Sequence, residues 1–228
     1  MSKIVILTGA GISAESGLGT FRAEDGLWAE HRVEDVATPE GFARNPELVM
    51  TFYNDRRAQS YEASPNAAHV ALAALQQADG FDVVIVTQNV DDLHERGGAD
   101  AIHMHGGLTT ALCHHCGHRW PAPLVMDLAD TCPSCGQTST RPDIVWFGEM
   151  PYQMDRIERH LSECDLFVSI GTSGNVYPAA GFVQMAKMSG AEALELNLEP
   201  SQGASYFDKA INGPASQIVP EWVRSLIG

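Results

Sequence analysis

Apolar residues in this chain gather in short, β-branched runs separated by longer helix-compatible stretches. Ile4–Leu7 is an unbroken apolar run, Phe81–Thr87 reads FDVVIVT, Leu166–Ile170 reads LFVSI and Ala193–Leu198 reads ALELNL. Compact runs of this kind predict strands buried on both faces, as in a parallel sheet. Ile102–His105 predicts a further short strand. Helices are expected over Val33–Phe42, Pro46–Tyr61, Ala67–Gln77, Met154–Ser162, Pro178–Met188 and Pro220–Ile227, the third announced by Ser64-Pro65-Asn66. Strands alternating with helices of this length predict an α/β fold with a Rossmann-like, doubly wound parallel sheet.

Four of the strands run into polar or Gly-rich sequence, at Gly9, Gln88, Gly171 and Asn197. Ligands of open parallel sheets bind outside the carboxyl ends of the strands. At the first end, Gly9 and Gly11 are expected to bring backbone amides up to a diphosphate. A helix starting near Ser13 would aim its N-terminus at the charge, and Ala14 is the small third residue of the fingerprint. The second half of a dinucleotide fingerprint is missing: Phe21–Trp28 (FRAEDGLW) is polar and Gly-interrupted where a strand and a ribose-binding acid belong.

Composition narrows the class. At 228 residues and 44% hydrophobic, the chain suits one large domain, or one domain carrying a smaller insertion. No stretch approaches the roughly 18 consecutive apolar residues of a membrane span. The N-terminus lacks secretory features, so a cytoplasmic location is expected. The net charge of −15 argues against nucleic acid, whose phosphates require clustered Lys and Arg.

Between the strands lies a separate chemical signal. Cys113, Cys116, Cys132 and Cys135 form C-x2-C, fifteen intervening residues, then C-x2-C. This spacing predicts a zinc ribbon, and four thiolates leave no open coordination position, so the Zn²⁺ is expected to be structural. A disulfide pairing does not suit a cytosolic chain. His114, His115 and His118 are not needed as ligands. Cys164 is expected to be a buried small hydrophobe. Of His103 and His105, spaced i, i+2, at most one is expected to face a site. Histidine is the side chain best placed to act as a base near neutral pH.

GAGISAESGLGTFR, TQNVDDLHERGG, HMHG, the paired C-x2-C, RPDIVWFGE and GTSGNVYPAAG occur here in the order found in sirtuins, the NAD-dependent protein-lysine deacylases. The chain resembles that family over nearly its whole length. The resemblance implies one catalytic domain over 1–228. Its Rossmann-like part would comprise about 1–30, 65–108 and 143–228. Its smaller domain would combine a helical insertion, about 31–64, with a zinc ribbon, about 109–142.

For the site, it implies NAD as co-substrate. The diphosphate and loop contacts would come from Gly9, Ala10, Gly11, Ile12, Glu15, Phe21, Arg22 and Trp28. Gln88, Asn89, Val90 and Asp91 would surround the nicotinamide ribose, and Gly171, Thr172, Ser173, Asn197, Leu198, Glu199 and Ala215 the adenosine half. His105 would be the general base, with Asn89 and Asp91 also catalytic. The acyl-lysine oxygen would attack the anomeric carbon and expel nicotinamide; the product would be an O-acyl-ADP-ribose. Phe147, Gly148, Glu149 and Val176 would pair with an acyl-lysine protein or peptide as an added strand.

Tyr53 and Arg56, at i, i+3 of a helix, resemble the Tyr-x-x-Arg of class III sirtuins of bacterial type, where they bind the distal carboxylate of succinyl- or malonyl-lysine. Ala23 matches the same subclass. The family pattern selects Arg56 over the adjacent Arg57. Alternatives are a protein mainly acting as a deacetylase, and a non-catalytic NAD- and zinc-binding protein.

Overall fold

The computed structural model describes residues 1–19 and 31–228. Six parallel strands form the main sheet: β1 (Ser2–Thr8), β2 (Phe81–Thr87), β3 (Ala101–His103), β7 (Leu166–Ile170), β8 (Glu192–Asn197) and β9 (Lys209–Asn212), in the order β3-β2-β1-β7-β8-β9. Alternation along β1 divides the interior into two layers. Ile4 and Ile6 pack with α4 (Ala67–Gln77) and α8 (Ala215–Ile227). Val5 and Leu7 pack with α6 (Met154–Glu163) and α7 (Phe182–Met188) on the other face. Burial on both faces is why the strands read as continuous apolar runs.

β1 pairs with β2 on one side and β7 on the other, so the chain order reverses beside it. A crevice opens at such a switch point, at the carboxyl edge. Two features fill the space beyond that edge. One is helical: α1 (Val33–Val36), α2 (Pro39–Arg44) and α3 (Pro46–Glu62). The other is a small antiparallel sheet of β4 (Gly106–Cys113), β5 (Arg119–Pro121) and β6 (Thr140–Ile144), in the order β5-β4-β6. Val49, Phe52 and Tyr53 of α3 meet Leu108, Ile144 and Trp146 in a third apolar cluster that joins the two.

The expectations for β2, β7 and α4 coincide with the observed elements. Three others are corrected. No α-helix starts near Ser13: the chain makes two 3-10 turns, Ala10–Ile12 and Ala14–Ser16, ending at Gly17 with φ +90°. The expected helix Val33–Phe42 is broken into α1 and α2, the second restarted by Thr38, whose hydroxyl accepts from Gly41 N–H. The last helix begins at Ala215, and Pro220, read as its first residue, lies inside it.

Candidate active site

The four carboxyl ends converge on one cavity of about 1060 Å³, at the upper limit of ordinary small-molecule pockets (~1,000 Å³). Its floor is a crossing of two turns at backbone contact. Gly11 N–H donates to Gly171 O at 2.9 Å, and Gly9 N–H to Ile170 O at 3.0 Å. A Cβ on Gly11 would stand 2.7 Å from Gly171 Cα; one on Gly171, at φ +62°, would stand 2.5 Å from Ile12 N. These glycines are therefore required by the crossing. The Gly9 and Gly11 N–H groups are themselves spent inside the protein.

Ile12 is also corrected: it is fully buried in the α4–α8 core and does not line the cavity. Ala10, Glu15, Gln88, Asn89, Val90 and Asp91 do line it, as do Gly9 and Gly11. From the β7 and β8 ends come Gly171, Thr172, Ser173, Asn197, Leu198 and Glu199, and from α8 Ala215. Glu15 holds the second 3-10 turn to α8, its carboxylate accepting from Ser216 N–H at 2.8 Å and Ser216 Oγ at 2.7 Å. Phe21, Arg22, Ala23 and Trp28 lie outside the described residues.

Ser13 is the hub that the sequence did not single out. Its hydroxyl donates to Asp91 Oδ2 at 3.2 Å and accepts from Asn89 Nδ2 at 3.1 Å. His69 Nε2 stands 3.4 Å away. Because Asn66 N–H donates to His69 Nδ1, the proton of that ring sits on Nε2 and points at Ser13. Burial pushes His69 down to about 4 and its neighbour His94 down to about 3, so both are neutral. Burial raises the Asp91 carboxyl above the usual carboxylate range, against the Leu93 N–H and Ser13 hydrogen bonds. The nearest sequence signal was the capping position of Asn66, which fixes His69 three residues on.

His105 follows β3 and precedes β4, and its ring lines the cavity. Nδ1 lies 3.1 Å from Gln88 O, an acceptor, so Nδ1 carries the proton and Nε2 keeps its lone pair. Burial lowers its affinity for a second proton, against the Gln88 contact. Gly106 makes the turn possible: at φ +77°, a Cβ there would meet Asp143 O at 1.9 Å.

Tyr53 and Arg56 of α3 both line the cavity, together with Trp146, Phe147, Gly148, Glu149 and Val176. Tyr53 is buried, its hydroxyl accepts from Trp146 Nε1 at 3.1 Å, and burial pushes its phenol up to about 12. Arg57, the adjacent arginine, points elsewhere: it donates to Leu108 O at 2.7 Å and Asn54 Oδ1 at 2.7 Å. The Glu149 carboxylate takes both Nη groups of Arg141 (2.7 and 2.8 Å) and Trp146 N–H. The Phe147 and Glu149 amides donate to Ala37 O and Trp146 O.

Cys113, Cys116, Cys132 and Cys135 converge with their sulfurs within 4.8 Å of one another. Two of the Sγ–Sγ separations are 3.7 Å, close to the edge of a tetrahedron with Zn–S bonds of about 2.3 Å. The donor set and its geometry fit one structural Zn²⁺.

The Sir2 family model matches residues 9–178. The chain belongs to the Sir2 family. It is 58% identical over 231 residues to an NAD-dependent protein deacylase of Salmonella typhimurium, covering 99% of this chain and 84% of that protein. It is 54% identical over 232 residues to one of Caulobacter vibrioides, covering 99% and 97%. Among solved structures, a Sir2 homologue in complex with NAD is 39% identical, with a TM-score of 0.91 over 98% of this chain and 89% of that one. A Sir2 homologue mutant bound to ADP-ribose is 38% identical with a TM-score of 0.92, covering 98% and 91%. Sir2 membership explains the missing half of the dinucleotide fingerprint, since the sheet runs from β1 into the helical segment and returns only at β2.

Proposed function

We propose that this Sir2-family chain is an NAD-dependent protein-lysine deacylase that removes succinyl and malonyl groups, and acetyl groups as well, acting in the cytoplasm. The observation that carries the acyl preference is that Tyr53 and Arg56 line the same cavity as His105. A guanidinium can hold a carboxylate at two oxygens, which an acetyl group does not offer. Asn89, Asp91 and Gln88 line the same cavity, and the nicotinamide ribose would be held by them.

In this reading the acyl oxygen attacks the anomeric carbon of the ribose and nicotinamide leaves. His105 Nε2 accepts a proton from a ribose hydroxyl, so that the 2′-oxygen can attack the acyl carbon. Water completes transfer, leaving free lysine and O-acyl-ADP-ribose. The tetrathiolate Zn²⁺ would supply no chemistry; it would tie the end of β4, at Cys113, to the Cys132–Cys135 segment ahead of β6, and β4 and β6 carry Leu108 and Ile144 of the acyl-pocket wall. The helical segment 31–64 and the ribbon 109–142 act together as the small domain.

A second reading, chiefly deacetylation, draws on the burial of Tyr53 within the Phe52–Trp146 cluster, a packing role that needs no carboxylate. Rates on succinyl- and acetyl-lysine versions of one peptide separate the two. Arg56→Met should raise the KM for the succinyl peptide at least about tenfold, the worth of one charge-assisted pair, and leave the acetyl peptide little affected. An unchanged succinyl KM contradicts the carboxylate clamp.

A further inference from the structure

His103 is the member of the HMH stretch that the proposed reaction leaves unused. It ends β3 and lines a second cavity, of about 550 Å³, whereas His105 lines the first. Both ring nitrogens meet groups that only accept. Nδ1 lies 3.2 Å from Asn89 O, and Nε2 lies 3.0 Å from Glu95 Oε1. A neutral imidazole has one N–H and would set a lone pair against one of these oxygens. Only the imidazolium satisfies both. His105, facing one acceptor, needs no second proton.

The groups around His103 favour that charge. Glu95 belongs to α5 (Leu93–Arg96), and Asp91 and Asp92 come from the turn before it. Across the cavity Arg119 of β5 is paired with Asp143 of β6 at 2.8 Å, and the Tyr152 hydroxyl donates to the same Asp143. His94, behind on α5, is neutral. Burial opposes protonation of His103, but the hydrogen bond and charge of Glu95, Asn89 O and Asp91 outweigh it, and its pKa is raised.

Asn89 and Asp91 are thus held from two sides. Their side chains share Ser13 on the cavity side, and the Asn89 carbonyl is gripped by His103 behind. We propose that His103, clamped as an imidazolium between Glu95 and the Asn89 carbonyl, is a positioning residue that fixes the Asn89–Asp91 turn for NAD. The inference rests on the deacylase reading of that cavity. Raising the pH removes the proton, one clamp contact and the positive charge behind Asp91, so NAD use should fall on the alkaline side.

The test is the pH profile of kcat/KM for NAD, followed as nicotinamide release at saturating succinyl-lysine peptide, for the native chain, Glu95→Gln and His103→Gln. Nitrogen NMR of the histidine rings reads the His103 protonation state independently of activity. The native chain should show an acid limb from His105, an alkaline limb from His103, and His103 protonated at both nitrogens at pH 7. E95Q should move the alkaline limb down by about one pH unit and leave the acid limb in place. H103Q should abolish the alkaline limb and cost roughly tenfold at the optimum, through the KM for NAD and not that for peptide. A uniform loss at every pH with an unmoved limb would mark a merely structural residue and overturn the inference. So would superimposable profiles, or a singly protonated His103 at pH 7. Absence of acyl-dependent nicotinamide release from the native chain would instead overturn the deacylase reading, with NMR still deciding the state of His103.

Discussion

Adjacent arginines on α3 differ by one residue of register, Arg57 turning to the β4 backbone and Arg56 to the cavity. Arg57 is buried and bridges the helix to the β4 backbone and, through Leu124 O and Met126 Sδ, to the segment after β5. Removing it leaves several acceptors unpaired, so Arg57→Ala should destabilise the fold by about 3 kcal/mol, read from chemical denaturation. Arg56, by contrast, faces the cavity, and its substitution is expected to appear in KM. The buried histidines make a prediction about pH. Their folded-state pKa values, about 4 for His69 and about 3 for His94, lie below the unfolded value of 6.5. The stability they contribute as neutral rings is therefore full above pH 6.5 and is lost as pH falls toward 4, at about 1.4 kcal/mol per pH unit for each ring. His94 Nδ1 has no partner among the described residues, so His94→Gln should lessen that slope without abolishing folding; an identical slope would contradict the assignment.

Among the elements, the strands feeding the cavity were legible because each is buried on both faces and ends in a polar or Gly-rich turn. Phe81–Thr87 before Gln88 and Leu166–Ile170 before Gly171 are the clearest cases. β6 was not legible. It is fully buried yet reads TRPDI, because Arg141 is answered by Glu149 and Asp143 by Arg119 and Tyr152, partners far from any local pattern. β4 hid for another reason: its pairing with β6 shifts between Gly107 and Ala111, which breaks the alternation expected of a strand. The missing helix at Ser13 has a cause in the site, since the Ser13 side chain is drawn to Asp91 and Asn89 and does not cap a helix. The glycine crossing gives a sharp test at this scale. Gly171→Ala forces a left-handed alanine onto Ile12 N and should cost roughly 2 kcal/mol or more while lowering NAD affinity; a variant with native stability and affinity would contradict the crossing.

Across the whole molecule, the cavity depends on three parts meeting: the parallel sheet through Gln88–Asp91, the helical segment through Tyr53 and Arg56, and the antiparallel sheet through Ile144 with Trp146 just beyond it. The Zn²⁺ site lies at the end of β4 and beyond β5, and β4 runs from it past Leu108 of the cavity wall back to His105. One zinc per chain is expected by metal analysis, and chelation should lower the melting temperature and weaken acyl-peptide use before it weakens NAD binding. A chain that keeps its full peptide KM without metal would show that the ribbon does not support the wall. Among the described residues no helix is long and apolar enough to cross a membrane. The most direct test of the account is nicotinamide release from NAD with succinyl-lysine, acetyl-lysine and unmodified versions of one peptide, for the native chain and His105→Ala. The account predicts release with both acylated peptides, higher kcat/KM for succinyl, none with unmodified lysine, and loss of turnover in the variant. Release independent of acylation, or undiminished without His105, would contradict it.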